Sequence, residues 1–146
     1  MTIEIKLLGV ADAPILEHVA PEVFDDPINV ARTGEFLADP RHHLAVAMDD
    51  GLVVGFVSAV QYVHPDKSGP DLSINEISVA ASHPGSGIGS RLLRSILDFG
   101  RRIGCQAAWV LTDRTNAAAM RLYSSVGSPK EPTDHVMFEF RLADHQ

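Results

Sequence analysis

The chain has 146 residues, of which 45% are hydrophobic and 21% charged, with a formal net charge of −7. That length and balance fit a single globular domain over residues 1–146. The acidic surplus argues against a nucleic-acid partner, which would call for a basic face, and no apolar run approaches the roughly 18 residues of a membrane span.

The opening stretch, MTIEIKLLGV, has no basic n-region, long apolar segment or cleavage site, so a cytoplasmic protein is expected. Ile3, Ile5 and Leu7 alternate and predict a strand. Asp12 before APILEHVA reads as an N-cap followed by an early proline, the start of a short helix. FDDP repeats the device, with Asp26 as cap and Pro27 in the first turn of a second helix reaching about Leu37; Pro40 ends that region. In HLAVAMDDGLVVGFVSAVQYV two β-rich runs flank DDG, a hairpin signal. A polar loop over 64–71 then leads to LSINEISV, a fourth strand over 72–79. Its hydrophobic phase slips at Asn75–Glu76: Leu72 and Ile74 share one face, Ile77 and Val79 the other. A β-bulge produces that change of parity, and a strand buried on both faces is the alternative.

The stretch HPGSGIGSRLL opens a helix with Ile88, Leu92, Ile96, Phe99 and Ile103 along one stripe, closed by Gly104 at C′. Cys105, the only cysteine, excludes an internal disulfide, suits a reducing cytosol and reads as a buried structural thiol. QAAWVL is a fifth strand, TNAAAMRLYSSVG a helix ended by Gly127, and HVMFEFRL (135–142) a last strand. The predicted order is βααβββαβαβ: a mixed α/β fold on a mostly antiparallel sheet, with one late β-α-β crossover and a splay at strand 4.

Gly85, Gly87 and Gly89 alternate just before the helix. A dinucleotide fingerprint fails because its third glycine falls on Ser90, and a P-loop fails because the lysine is missing. What remains is strand, glycine turn and helix N-terminus, an anion site made of backbone N–H groups and the helix dipole. A glycine-rich helix start that holds nothing is the bland alternative. Downstream, Asn116 and Tyr123 stand two helical turns apart on one face, about 10.5 Å along the axis, where they can flank an extended ligand. Tyr123 as plain core packing is the competing reading. His42 and His43 are neighbours on a strand and so point to opposite faces. No histidine spacing predicts a metal.

INEISVAASHPGSGIGSRLL and TNAAAMRLYSSVG together resemble the GNAT superfamily of acyl-CoA-dependent N-acetyltransferases. VFDDP, HPDK, INEISV and DHVMFEF resemble, within it, the group that includes aminoglycoside 3-N-acetyltransferases. The family's turn is [QR]-x-x-G-x-[GA]; here Pro84 holds the Gln/Arg position, Gly87 and Gly89 the small ones, and Ser86 stands where many members have a basic side chain. The resemblance implies acetyl-CoA as co-substrate, with the pyrophosphate on the turn formed by Gly85, Ser86, Gly87, Ile88, Gly89 and Ser90. Ile77 and Val79 would line the pantetheine arm, and Asn116 would complete the cofactor site. Glu76 is then the expected base, Ile77 N–H the donor to the thioester carbonyl, and Tyr123 the acid that protonates the departing thiolate.

The acceptor expected is a small-molecule primary amine, best a polycation such as an aminoglycoside, if Asp25, Asp26, Glu76 and Asp134 converge into an acidic cleft. A helix-capping role for Asp25 and Asp26 and a turn role for Asp134 stay open. So do a peptide or metabolite amine as acceptor, and a non-catalytic CoA-binding module, which the departures at Pro84 and Ser86 suggest. The resemblance also implies homodimerisation.

Overall fold

The computed structural model describes residues 2–84, 87–127 and 129–143. Strand β1 (Ile3–Leu7) is followed by a 3-10 helix (Val10–Glu17), helix α1 (Val30–Ala38) and strands β2 (His42–Asp49), β3 (Leu52–Tyr62) and β4 (Asp71–Val79). Helix α2 (Ile88–Arg102), strand β5 (Ala107–Val110) and helix α3 (Ala117–Ser125) complete the order. The sheet has 5 strands in the order β1-β2-β3-β4-β5, antiparallel except for the parallel β4–β5 pair that α2 connects. This is the mixed α/β fold expected, with its single crossover.

The local chemistry is plain at the turns. Asp50 and Gly51 both take positive φ between the paired Asp49 and Leu52, the two-residue turn that matches strand twist. Gly104 has φ +85 where α2 ends, and Cys105 N–H returns to the Gly100 carbonyl. The two early caps differ from expectation. Asp12 is not the N-cap: it sits inside the 3-10 helix and its Oδ2 accepts Gly9 N–H at 2.7 Å, while Lys6 pairs with Oδ1 at 3.3 Å. Nor does Asp26 cap α1. Asn29 does, its Oδ1 accepting Arg32 N–H at 3.0 Å, because the helix begins three residues beyond Pro27.

The two helices lie on opposite faces of the sheet, as neighbouring strand residues reveal. His42 packs its ring on Phe36 of α1, and His43 packs edge-on against Phe99 of α2. Burial pushes the His43 pKa down, which suits a packing histidine. Helix α2 buries Ile88, Leu92, Leu93 and Ile96 against the sheet and comes close to it at Gly55. A Cβ there would stand 3.0 Å from the Ser78 carbonyl oxygen, 3.2 Å from Leu92 and 3.3 Å from Ile88. Gly55→Ala should therefore destabilise the fold by about 1–3 kcal/mol through overpacking. The check is the urea midpoint, which should fall with an unchanged slope.

The predicted last strand does not form among the described residues. The 135–142 segment alternates as a strand should, but it pairs with no strand of its own chain and stays exposed. Pattern supplies the propensity; a strand also needs a neighbour to satisfy its backbone.

Candidate active site

The register of β3 against β4 slips by one residue at the place where the sequence phase changes. Ser58 faces Glu76, but Ala59 faces Ile74, so Asn75 has no opposite number on β3. On the other edge, β5 pairs with Asp71–Ile74, and among the described residues no strand lies beside 75–79. Ala80 donates its N–H to the Val54 carbonyl at 2.7 Å. By the alternation of an antiparallel ladder, Ile77 and Val79 then turn their N–H and C=O groups to the open edge. The geometry leaves a strip of unpaired backbone, about 10 Å long from Glu76 to Val79 at about 3.3 Å per residue.

One end of this strip is a cavity of about 250 Å³ lined by Val79, Ala80, Ala81, His83, Pro84, Gly87, Ile88 and Gly89. Gly87 is the N-cap of α2 with φ +75, and a Cβ there would meet open space. The first intrahelical bond runs from Arg91 N–H to the Gly87 carbonyl. The N–H groups of Ile88, Gly89 and Ser90 precede it and have no acceptor within the helix. Ile88 and Gly89 line the cavity at the positive end of the helix dipole, an arrangement that suits a diphosphate. Gly89 lies 3.5 Å from Leu122, so it is also a packing point between α2 and α3. Gly85 and Ser86 lie outside the described residues.

The other end of the strip is Glu76. Its carboxyl pKa is raised, first by burial and then by the negative charge of Asp25. Tyr123 is half-buried at the edge of the core, and its phenol is likewise pushed up by burial and by the Glu76 charge. Glu76 on β4 thus lies within electrostatic reach of both Asp25, before α1, and Tyr123 on α3. Glu76 also lines a second cavity of about 260 Å³, whose wall is otherwise mostly apolar: Leu16, Phe24, Ile28, Phe36, Leu37, Leu44 and Phe56, with Thr33, Ser58 and Arg32. Phe24 and Phe56 stack at 4.1 Å, and Arg32 is ion-paired with Glu35.

The remaining expected residues divide. Asn116 caps α3, its Oδ1 accepting Ala119 N–H at 3.1 Å. Asp134 is fully exposed beside Arg114, 3.9 Å away, and the neighbouring Thr133 carbonyl accepts from the same guanidinium. Of the four acidic residues expected to converge, Asp25 and Glu76 are the pair whose charges interact. Arg91 is committed to the Ile3 carbonyl at 3.0 Å, away from the anion turn. Cys105 has its pKa raised by burial, the property of an inert thiol. His83 is the residue that sequence reasoning passed over. It lines the turn cavity, with Nε2 2.8 Å from Asp49 and Nδ1 2.7 Å from Ser82 Oγ. Its partner on the β2–β3 hairpin is too distant in sequence for any spacing rule to find. The aromatic wall of the second cavity was hidden for the same reason, since its members read as ordinary core.

Residues 13–127 match the model of the acetyltransferase (GNAT) family. An N-alpha-acetyltransferase, RimI, of Mycobacterium tuberculosis is 36% identical over 129 residues, covering 86% of this chain and 77% of the relative. Among solved structures, an aminoglycoside acetyltransferase from an uncultured soil metagenomic sample superposes with a TM-score of 0.81 at 19% identity, covering 98% of this chain and 100% of the other. The aminoglycoside N-acetyltransferase AAC(6')-Iy in complex with CoA gives 0.73 at 21% identity, covering 97% of this chain and 96% of the other. At such identities the two structures establish the shared fold alone.

Proposed function

Because this chain belongs to the GNAT family of acetyl-CoA-dependent N-acetyltransferases, we propose that it acetylates a primary amine carried next to an apolar group, such as the amino terminus of a peptide. The observation that carries this reading is Glu76 set in the wall of an apolar cavity, with the Asp25 charge behind it. The two carboxylates draw in one ammonium, and the Phe24, Phe36 and Phe56 side of the cavity takes the apolar body. RimI, named for N-alpha acetylation, supports the same class.

The chemistry follows from where the groups stand. A peptide α-amine, with a pKa of about 7.7–8.0, still arrives mostly protonated at neutral pH. Glu76 removes that proton, directly or through a water, and its raised pKa makes it a better base than an ordinary surface carboxylate. The nitrogen attacks the thioester carbon. Ile77 N–H, turned to the open edge of β4, donates to the carbonyl oxygen as it gains negative charge. The carbon–sulfur bond then breaks, and Tyr123 supplies a proton to the sulfur. The N–H groups of Ile88, Gly89 and Ser90 hold the diphosphate of the co-substrate, with Val79 along its arm.

A polycationic acceptor such as an aminoglycoside is the second reading. It is favoured by the Asp25–Glu76 pair and by the net charge of −7. Arg32 in the cavity lining and the apolar wall weigh against it. Thiol release with three acceptors separates the two. A peptide beginning with a small or apolar residue should give kcat/KM at least about 10-fold above an aminoglycoside or a linear polyamine, the scale set by one well-filled apolar contact. A faster aminoglycoside reverses the assignment. CoA binding with no thiol release from any amine would point to a binding module.

A further inference from the structure

Resting on the peptide reading above, we infer that the acceptor carries an acidic side chain on the residue after its amino-terminal one, and that Arg32 binds that carboxylate. The first observation is the charge in the cavity wall. Among the described residues of that lining, Glu76 is the one anion and Arg32 the one cation. The rest are apolar or carry a hydroxyl. A guanidinium repels the ammonium that Glu76 attracts, so it weakens a site meant for a bare apolar amine. It becomes favourable when the same acceptor brings a negative charge of its own.

The second observation is that the two charges stand apart. Glu76 is on β4 and Arg32 in the first turn of α1, and no ion pair joins them among the described residues. A guanidinium against Glu76 would lower its carboxyl pKa, whereas that pKa is raised, by burial and by Asp25. A roughly round space of about 260 Å³ is on the order of 8 Å across. A free α-amino acid holds its ammonium and carboxylate on one carbon, roughly 3–4 Å apart, too close together to span such a space. Across a peptide unit consecutive Cα atoms are about 3.8 Å apart, which puts the side-chain carboxylate of the second residue roughly 6–9 Å from the terminal nitrogen.

Arg32 is fixed at its backbone and loose at its tip. Its N–H goes to Asn29 Oδ1 at 3.0 Å, which holds it in the first turn of α1. Its side chain is 75% exposed, and so is 70% of Glu35, its ion-pair partner three residues on. Glu35 is not part of the cavity wall. An exposed pair of this kind is worth little in water, so the guanidinium can leave Glu35 for a carboxylate that the bound acceptor holds in place. Its paired donors match the two oxygens of a carboxylate. The Thr33 hydroxyl, also in the wall, is a further donor on the same turn.

Thiol release from acetyl-CoA is measured with three tripeptide amides that begin with leucine, end with alanine and differ in the middle: glutamate, glutamine or lysine. In the parent chain, kcat/KM for the glutamate peptide should exceed that for the glutamine peptide at least about fivefold at low ionic strength, with the lysine peptide slowest. Arg32→Gln should bring the glutamate-to-glutamine ratio to within about twofold of unity, and Arg32→Lys should restore part of it. Glu35→Gln should raise the ratio above that of the parent, because it releases the guanidinium. A parent ratio near unity, or one that ignores both Arg32→Gln and Glu35→Gln, overturns the inference while the peptide reading stands. Free leucine faster than the glutamate peptide also overturns it, by assigning the carboxylate to the amino acid itself. Turnover of an aminoglycoside with none of the peptides removes the peptide reading, and the inference falls with it. Arg32 and Glu35 are exposed, so the variants should fold as the parent does. If one does not, the parent's ratio and its decline with added salt still decide.

Discussion

Replacing Glu76 by glutamine should lower turnover by about 10²-fold or more, the usual worth of a positioned general base. The amide keeps the shape of the side chain and its place in the cavity wall, but it cannot accept the ammonium proton. The folded protein should not suffer. The Glu76 pKa is raised in the fold by burial and by Asp25, so the folded state binds that proton more tightly than the unfolded state. A carboxylate shifted upward adds stability below its unfolded pKa and loses that contribution as pH rises through the folded value. At pH 7 the ionised Glu76 is therefore a small liability, and Glu76→Gln should melt at the same temperature as the parent or slightly above it. The advantage should disappear toward pH 4, where the parent carboxyl is protonated. Activity runs the other way. In the parent, kcat/KM should fall on acidification through a pKa above the ordinary carboxylate range, and the variant's residual rate should lack that limb. Asp25→Asn should move the limb to lower pH, because it removes the second cause of the shift. Thiol release across pH 4–9 with calorimetric melting checks both arms. A variant rate within about threefold of the parent would remove Glu76 from the chemistry, since a general base is worth far more than that.

The legible parts of this protein are those where one residue's chemistry dictates local geometry. Gly51 and Gly104 announce turns because positive φ costs a side chain too much. The stripe from Ile88 to Ile96 announces α2 because its period can bury one face only. Even the slip at Asn75 is visible as a change in hydrophobic phase. Asp26 misled because an aspartate before proline is chemically as good a cap as Asn29, and the choice between them is made by where α1 packs, not by local preference. The segment over 135–142 misled because alternation reports propensity and says nothing of a neighbour. The apolar cavity beside Glu76 was illegible for a third reason. Phe24, Phe36 and Phe56 come from separate elements, and each alone reads as core. Only the fold shows that they gather around one space that also meets Glu76. The His83–Asp49 pair is of the same kind, an interaction set by tertiary approach of the hairpin to the residues before α2.

Tyr123→Phe should cut kcat by about 10²-fold with little change in either KM, as expected for a proton donor used in the transition state alone. The ring stays packed at the edge of the core, so the melting temperature should hardly move. The phenol's raised pKa, from burial and the Glu76 charge, keeps it protonated at neutral pH. That makes it a ready donor but a weak acid. A thiol has a pKa near 8.5 and an unperturbed phenol near 10, so full transfer to sulfur runs uphill unless the proton is replaced. In the proposed mechanism Glu76 supplies the replacement, the proton it takes from the amine. On that proposal one proton passes by way of the phenol to sulfur, while the second proton lost by nitrogen leaves to solvent. The test uses the leaving group. With an acetyl thioester whose thiol is markedly more acidic than that of CoA, the sulfur needs no proton to depart, and the deficit of Tyr123→Phe should shrink toward unity. A tyrosine that only packs would show the same deficit with both donors, and that outcome would reassign Tyr123 to structure while leaving the role of Glu76 intact.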